Sequence, residues 1–331
     1  MTHIRKIWLL ATASALSLVA VWYLPFGQAA VSAEQAIGGR NLVGADLRNA
    51  ALAGANLDGT VMTGANLTGA DLHGASLKGA DLREAYMRDV DARGADFTGA
   101  SLAAADLTRA DLRYARFDGA DLTAAKMDSA RLDEASLKAS FMPGASLIRA
   151  QLSRVRLDGA MLAGANLSQA VLQHAVLTDA NLGAAALGQQ GPSPATLAGA
   201  DLRRADLSGA NLVSANLREA NLDDASLVGA QLGHANLSWA RARRADFSRA
   251  NLGWSKAYGA DMREARMTGA TLTQTQCEGA DFTGADFSGA SLANTNLNQT
   301  NMTAAVMTNA TIENVLANGI INRPEALLGS P

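Results

Sequence analysis

The chain has 331 residues, 48% of them hydrophobic but only 5% aromatic, and its formal net charge is −3. Ala and Leu supply most of the apolar residues, which is not the composition of an ordinary compact core rich in Val, Ile and Phe. The mild acidic excess argues against a basic, phosphate-binding protein and indicates no other class of partner.

The N-terminal 33 residues carry the pattern of an export signal. Arg5 and Lys6 precede an uncharged apolar run over residues 7–26, and small residues follow at Ala30 and Ala33. This order predicts a secretory signal peptide over residues 1–33. At ~1.5 Å per residue, the same run is long enough to cross a bilayer as an uncleaved anchor helix. We therefore expect the rest of the chain to be exported, periplasmic or extracellular, or anchored to a membrane by residues 7–26.

A five-residue period runs from Leu42 to Ile312. Of 55 consecutive units, 45 have Ala two positions before a central residue that is nearly always Leu, Met or Phe. Residues 45–49, for example, read A-D-L-R-N. This period fits neither a helix face nor a strand face. If each unit is a short extended segment followed by a corner, four units form a square coil with the central and Ala side chains inside. Stacked coils would lie ~4.8 Å apart.

The motif A-(D/N)-L-x-x resembles that of the pentapeptide-repeat family, and the resemblance covers residues 40 to about 316. It implies an all-β fold, a right-handed quadrilateral parallel β-helix. Because the open ends of such a column expose unpaired backbone, we expect short helical caps in addition to the N-terminal signal or anchor helix. In the C-terminal cap, residues 317–331, the order of Pro324 and Gly329 predicts a short helix over residues 322–329.

A second period, of twenty residues, supports the four-sided coil. Residues twenty apart should stack, and opposite charges alternate through most of two such series. The first series is Arg203, Asp223, Arg243 and Arg263, and the second is Arg204, Asp224, Arg244 and Glu264.

A Gly/Pro-rich loop, residues 188–196, divides the predicted repeats into a first part over residues 34–187 and a second part over residues 197–316. Proline cannot donate to a ladder, so this segment should leave the regular coil. It either replaces one side of a coil or bulges out and rotates the later faces. It is either an exposed, tolerated insertion or a functional loop like those of enzyme-targeting family members.

The repeats contain no residue set for catalysis, a cofactor or a metal ion. His73, His174 and His234 lack metal-ligand spacing. Asp or Asn often precedes the centre, and we expect it to bond local backbone at the turn. Gly often follows two after the centre, where a corner needs positive φ. Cys277 replaces a central Leu and should be buried and inert.

One cluster of outward residues combines tryptophan with arginine, the composition of protein-binding hot spots. We interpret it as a candidate partner-binding surface. Alternatively, its arginines pair with Asp223, Asp224 and Glu264, and its indole rings cover small residues. The candidate residues are Trp239, Arg241, Arg243, Arg244, Trp254 and Tyr258, and Arg249 and Lys256 belong to the same stretch.

These observations predict a non-enzymatic, exported repeat protein that acts as a structural scaffold or a protein-interaction surface for an unknown protein partner. The resemblance offers a DNA-mimicking protein that binds a topoisomerase (gyrase) as an alternative. The export segment, the mild acidity and the arginine-rich middle count against it. A membrane-anchored repeat protein is the other alternative. We expect no nucleic-acid partner; a dimer through the C-terminal end, as in gyrase-binding relatives, remains open.

Overall fold

The computed structural model describes residues 41–183, 185–188 and 195–327. These residues wind into a four-sided parallel β-helix, which confirms the predicted all-β solenoid. In each unit the residue before the centre forms a parallel bridge with its equivalent one coil later, as in Asn41↔Val61 and Val61↔Asp81. The central amide donates to the carbonyl of that partner, for example Leu42 N to Val61 O at 2.7 Å. Each coil is therefore hydrogen-bonded to the coils on either side of it.

Four columns of bridge residues define the four faces of the rod. Face 1 runs from residue 41 to 306, face 2 from 46 to 311, face 3 from 51 to 316 and face 4 from 56 to 321. Each column has fourteen bridge residues, so the described rod is about 60 Å long at the spacing of β-strands. The two residues after each centre form the edge to the next face, and we name these edges 1/2, 2/3, 3/4 and 4/1.

The interior is a narrow column of Leu and Ala. Along nearly the whole rod the central residue and the residue two before it are at most 2% exposed. Phe97 and Phe117, on successive coils of face 4, stack with centroids 4.6 Å apart. Where Thr replaces the inward Ala, its hydroxyl finds a main-chain acceptor, as Thr295 Oγ1 donates to Leu272 O at 2.7 Å. The column is thus filled by side chains, and the hydroxyls of Thr275, Thr295 and Thr300 are satisfied by main-chain oxygens, whereas the buried Ser255 hydroxyl has no partner within the described residues.

A β-turn closes each unit at an edge. Ala45 N donates to Leu42 O at 3.0 Å, and this bond recurs along the rod. The second turn residue, two after the centre, has φ near +60°, as in a type II turn. Among the described residues, 32 non-glycine residues have positive φ, and all but Asn322 lie at this position, beside 22 glycines. The fold therefore imposes the left-handed conformation whether or not the residue favours it.

The polar residue before each centre stabilises the turn that follows. Asn66 Oδ1 accepts a hydrogen bond from Thr68 N at 3.1 Å, and Asp71 Oδ1 accepts one from His73 N at 3.0 Å. The same contact recurs at many Asp and Asn residues of this position. It confirms the structural role predicted for the recurring carboxylates.

At the Gly/Pro-rich segment, on edge 2/3, no side of a coil is replaced. Leu187 O still accepts a hydrogen bond across the corner, from Ala195 N at 3.2 Å. The bridge spacing is 25 instead of 20 in the four columns that cross this point, for example Val171↔Thr196. Five residues are thus added at one corner. With a strict spacing of twenty residues, Thr196 would lie on face 4, but it lies on face 3, and every later unit is shifted by one face in the same way. Residues 189–194 themselves lie outside the described residues.

Bridges continue beyond Ile312, where the five-residue period ends, as far as Ile321. The cap helix predicted over residues 322–329 is not present as such. The one helix among the described residues is a 3-10 turn, Glu325–Leu327. Asn322 has φ +50°, which a right-handed helix does not allow, and Leu327 N bonds Pro324 O at 3.0 Å to close a single turn. Leu327 is fully buried.

The predicted signal peptide or anchor helix over residues 1–33, and the N-terminal cap, lie outside the described residues. Within residues 41–183, 185–188 and 195–327, no helix is long and apolar enough to cross a membrane.

Replacing Ala104 by Gly tests the strain at the edges. Ala104 is exposed with φ +58°, and Gly54 holds the same turn position with no atom within 4 Å of where a Cβ would lie. We expect Ala104→Gly to raise the free energy of unfolding by about 0.5–1 kcal/mol, because relief of left-handed strain outweighs the added chain entropy. Gly54→Ala should lower it by about 1 kcal/mol. Urea unfolding followed by circular dichroism measures both.

Ala103→Gly is the matched control, because Ala103 lies in the same turn and its φ is not positive. There the substitution only adds chain entropy, so it should lower the free energy of unfolding by about 0.5–1 kcal/mol. The same sign of change at Ala103 and Ala104 would show that the left-handed corner costs no measurable free energy.

Cys277 tests whether the column stays closed in solution. The thiol is 1% exposed, and burial raises its pKa to about 12. The thiolate is the reactive form, and the reagent must also reach the interior. We therefore expect a maleimide to label the native protein at least about a hundredfold more slowly than the urea-unfolded protein. Equal labelling rates would contradict a packed interior at this coil.

Candidate binding surfaces

The six residues of the predicted partner-binding surface do not share one side of the rod. Residues 239–258 make one complete turn of the coil, so side chains that are close in sequence point in different directions. The six lie as follows: at edge 3/4, Trp239 and Tyr258; on face 4, Arg241; at edge 4/1, Arg243 and Arg244; and at edge 2/3, Trp254.

The three arginines of this set are all ion-paired with acidic residues of neighbouring coils. The contacts are Arg241 Nη2 to Asp223 Oδ2 at 2.8 Å, Arg243 Nε to Asp261 Oδ2 at 2.6 Å, and Arg244 Nε to Asp224 Oδ1 at 2.7 Å. These positions therefore fit the alternative interpretation, in which the arginines form ion pairs with nearby acidic residues. Each exposed pair contributes up to about 1 kcal/mol and holds its side chains in place.

Opposite charges alternate along edge 4/1 between residues 179 and 264, and we call this stretch the charged edge. Arg204 pairs with Asp179, 25 residues earlier, at 2.6 Å, because the added five residues lie between them. The predicted series from Arg203 behaves differently. Arg203 Nη2 bonds Asp201 of its own unit at 2.6 Å, not the side chain of Asp223.

Asp261, on face 4, links two arginines of the charged edge. Its carboxylate accepts hydrogen bonds from Arg243 and Arg263, with N–O distances of 2.6 and 2.8 Å. Burial acting alone would raise the pKa of Asp261, but the two guanidinium groups outweigh it and lower the pKa to about 2. The group is therefore ionised at neutral pH and belongs to a structural ion network, not to an acid catalyst.

Trp239 and Tyr258 are neighbours on edge 3/4, as their spacing predicts. Trp239 N donates to Tyr258 O at 2.8 Å. The indole lies over Gly259, where any Cβ would overlap the ring, so it covers a small residue. It nevertheless remains 58% exposed. Arg241 follows on face 4, so this edge keeps an exposed aromatic ring with an arginine nearby.

Trp254 lies on the opposite edge of face 3, where its ring stacks on His234 with centroids 6.0 Å apart and an interplanar angle of 18°. The pair borders a shallow concavity of about 420 Å³, which we call the edge 2/3 groove. The groove is lined by Val213, Gly233, His234, Asn251, Gly253, Trp254, Thr271 and Thr273.

Sequence reasoning did not find this groove, although it leaves a signal. Gly233 and Gly253 lie one residue after a centre, not two, and their φ is not positive. Glycine is therefore not needed there for a left-handed corner. Two such glycines twenty residues apart indicate a place on one edge from which side chains are missing.

A second concavity, of about 360 Å³, lies at edge 3/4 nearer the N-terminus and is lined by His73, Arg93, Gly94, Arg113 and Tyr114. Both of its arginines are paired at 2.7 Å, with Asp91 and Asp111 respectively. Within the part of the chain that the structure describes, no three His, Cys, Asp or Glu side chains are grouped to hold a metal ion.

Known proteins share these repeats. A family model of pentapeptide repeats matches overlapping segments within residues 41–187 and 200–315. HetL, a pentapeptide repeat protein involved in heterocyst differentiation regulation in the cyanobacterium Nostoc, is 31% identical over 70% of this chain and 88% of its own, with a TM-score of 0.38.

Two further solved structures are similar over smaller parts of the chain. A pentapeptide repeat protein from the Arabidopsis thaliana thylakoid lumen is 36% identical over 29% of this chain and 63% of its own, with a TM-score of 0.23. QnrB1, a plasmid-mediated fluoroquinolone resistance protein, is 18% identical over 63% of this chain and 93% of its own, with a TM-score of 0.29. No curated protein sequence matches the chain.

Asp261→Asn tests the charged edge, because it removes the negative charge of the Asp261 carboxylate and keeps the shape of the side chain. The pKa of Asp261 falls from its usual 3.8 to about 2 in the folded chain. Its ionised form therefore stabilises the fold above pH ~4, and this contribution is lost as the pH falls through ~2. We expect the variant to lose about 1–2 kcal/mol of unfolding free energy at neutral pH, and a difference that disappears as the pH falls below ~2. Urea unfolding at a series of pH values measures the difference.

Asp133→Asn is the control for this prediction. Asp133 Oδ1 accepts the Ser153 amide at 3.2 Å, and no arginine pairs with it among the described residues. Its substitution should change the free energy of unfolding at neutral pH by a smaller amount, because no ion pair is lost. A pH profile of Asp261→Asn that parallels the wild type would contradict the assigned ion network.

Proposed function

Because the chain belongs to the pentapeptide-repeat family, we propose that it is a non-enzymatic, exported rod that acts as a scaffold or protein-interaction surface. Family membership implies that the four-sided helix is right-handed. The observation that carries the proposal is the column of Leu and Ala that fills the interior. Because the interior has no room for a ligand, binding must take place on the outer surface. Catalysis needs polar groups converging in an enclosed site, and the two concavities described above are shallow.

For the protein partner, the proposed contact is edge 3/4 with the adjoining part of face 4. Trp239 and Tyr258 are neighbours there, and Arg241 follows on the next face. An indole that is 58% exposed on a rigid edge loses little conformational freedom when a partner covers it. The arginines of the charged edge serve mainly its own ion network, so we leave Arg243 and Arg244 outside this contact.

The DNA-mimicking alternative requires a surface of one negative sign. Along the charged edge, acids and arginines alternate and pair, so the field of each acid is largely cancelled at short range. This pattern supports the scaffold proposal over the mimic. A membrane-anchored form differs from the exported form only in whether residues 7–26 stay attached.

Deleting residues 1–33 should retain the protein in the cytoplasm, because the basic lead and apolar run are the proposed export signal. Cell fractionation compares the deletion with the full chain, and N-terminal sequencing of the exported form identifies the cleavage site. A new N-terminus near residue 31 or 34 indicates cleavage, and an intact Met1 in the membrane fraction indicates an anchor. A full chain found only in the cytoplasm would refute export.

Trp239→Ala should weaken capture of the protein partner at least about tenfold, because it removes the exposed ring at the centre of the proposed contact. The measurement is crosslinking and quantitative pull-down from the cell envelope. Trp254→Ala is the matched control: Trp254 holds the same repeat position and is 57% exposed, but it lies on another edge. Identical capture by wild type and Trp239→Ala would refute this contact.

A further inference from the structure

The edge opposite the charged edge is almost uncharged. On faces 2 and 3 after the added five residues, the bridge residues are amides, hydroxyls and single apolar residues, apart from Lys256. The bridge residues on face 2 from 211 onward are Asn211, Gln231, Asn251, Thr271, Ser291 and Thr311. After the added five residues, edge 2/3 carries His234 but no Asp, Glu, Lys or Arg before Glu313, in the last part of the rod. The edge 2/3 groove lies in this neutral surface.

The floor of the groove is open because two side chains are missing. A Cβ at Gly233 would meet only Gly253 O, at 3.7 Å, so neither the backbone conformation nor the packing demands glycine there. Other units place Val at this repeat position, for example Val213 and Val228. Gly233 therefore makes room on the surface, whereas a Cβ at Gly253 would lie 3.2 Å from Asn251 Oδ1. The groove follows the rod axis over four coils, about 14 Å at the β-strand spacing.

One wall of the groove is aromatic. Trp254 is 57% exposed and occupies the left-handed corner position that recurs in every unit. The ring is supported from one side by His234, at a centroid distance of 6.0 Å. Trp254 contributes nothing to the buried column, so its exposed ring face is available to a ligand.

The other wall supplies neutral hydrogen-bonding groups. Asn251 Oδ1 accepts the Gly253 amide at 3.0 Å and its Nδ2 donates to Gln231 at 3.4 Å, which leaves capacity on both atoms. The hydroxyls of Thr271 and Thr273, whose residues also line the groove, make no hydrogen bond within the described residues. These groups both donate and accept, as sugar hydroxyls do.

We propose that the edge 2/3 groove binds a neutral glycan chain lying along the rod axis. The apolar C–H face of a sugar ring packs on the Trp254 indole, while its hydroxyls bond Asn251 and the free threonine hydroxyls. The coils repeat every ~4.8 Å, so a polymer of like units meets similar groups at each step. An anionic glycan would find no Lys or Arg in the lining of the groove, and a charged peptide would leave charges without a Lys, Arg, Asp or Glu partner there. This inference does not depend on export.

The test is a titration of the purified full-length chain with β-linked tetrasaccharides of glucose and of N-acetylglucosamine. Calorimetry and tryptophan fluorescence follow binding, and a polygalacturonate oligomer serves as the charged counterpart. We expect weak binding of a neutral tetrasaccharide, with a Kd of about 1 mM or below, and at least about tenfold weaker binding of polygalacturonate. Binding of neither neutral probe, or equal binding of the charged one, would overturn the proposal.

Two pairs of variants locate the site. Trp254→Ala should weaken binding at least about tenfold, whereas Trp239→Ala, at the same repeat position on edge 3/4, should leave it unchanged. This pattern is the reverse of that expected for the protein partner, so failure of one proposal is separable from failure of the other. Equal affinity in the two variants would place the glycan elsewhere and overturn the assignment.

Gly233→Val tests the groove by filling it with a side chain that the same repeat position tolerates at Val213 and Val228. We expect an unchanged Tm and at least about tenfold weaker binding. Ala163→Val, at the equivalent position on edge 1/2, is the matched control and should bind like the wild type. Full affinity in Gly233→Val would show that the open floor is not the binding site, which would also overturn the proposal.

Discussion

The turn that closes each five-residue unit is the constraint on which the rest of the structure depends. One residue per unit is held at φ near +60°, and the amide after it bonds the carbonyl of the buried centre. This turn changes the chain direction at every edge, so that four units return the backbone to the face where they began. Inward packing and the pairing of coils both follow, because every centre is aimed at the axis and every extended residue lies over its equivalent.

The same geometry determines what the surface can be. Edge side chains stack in columns along the axis. The charge and the bulk of each column therefore depend on residues that are one coil apart in the sequence. On the charged edge, acids and arginines pair along and between columns. On edge 2/3, small and neutral residues leave a groove beside Trp254. A solid rod of this kind separates its surfaces by edge, so two ligands of different chemistry have room to bind without competing.

The candidate surface was only partly predictable, for a geometric reason. Trp239 and Tyr258 were correctly expected to be neighbours, since nineteen residues is nearly one coil. The arginines and Trp254 were grouped with them by closeness in sequence, but residues within one coil are distributed around the rod. The groove was missed because its floor consists of missing side chains at Gly233 and Gly253, and an unexpected glycine is a weaker signal than an exposed tryptophan.

By itself the sequence determined the architecture, since a period of five with Ala and Leu in register admits a four-sided column and neither a helix nor an ordinary strand. It also determined the turn role of the Asp and Asn residues and the burial of Cys277. Only the tertiary structure decided where the columns run after residue 188. Leu187 bonds Ala195 across the corner, so the bridge spacing there is 25 residues instead of 20 and each later side chain lies on the preceding face. That shift depends on a hydrogen bond across a closed corner, which no local pattern of residues records.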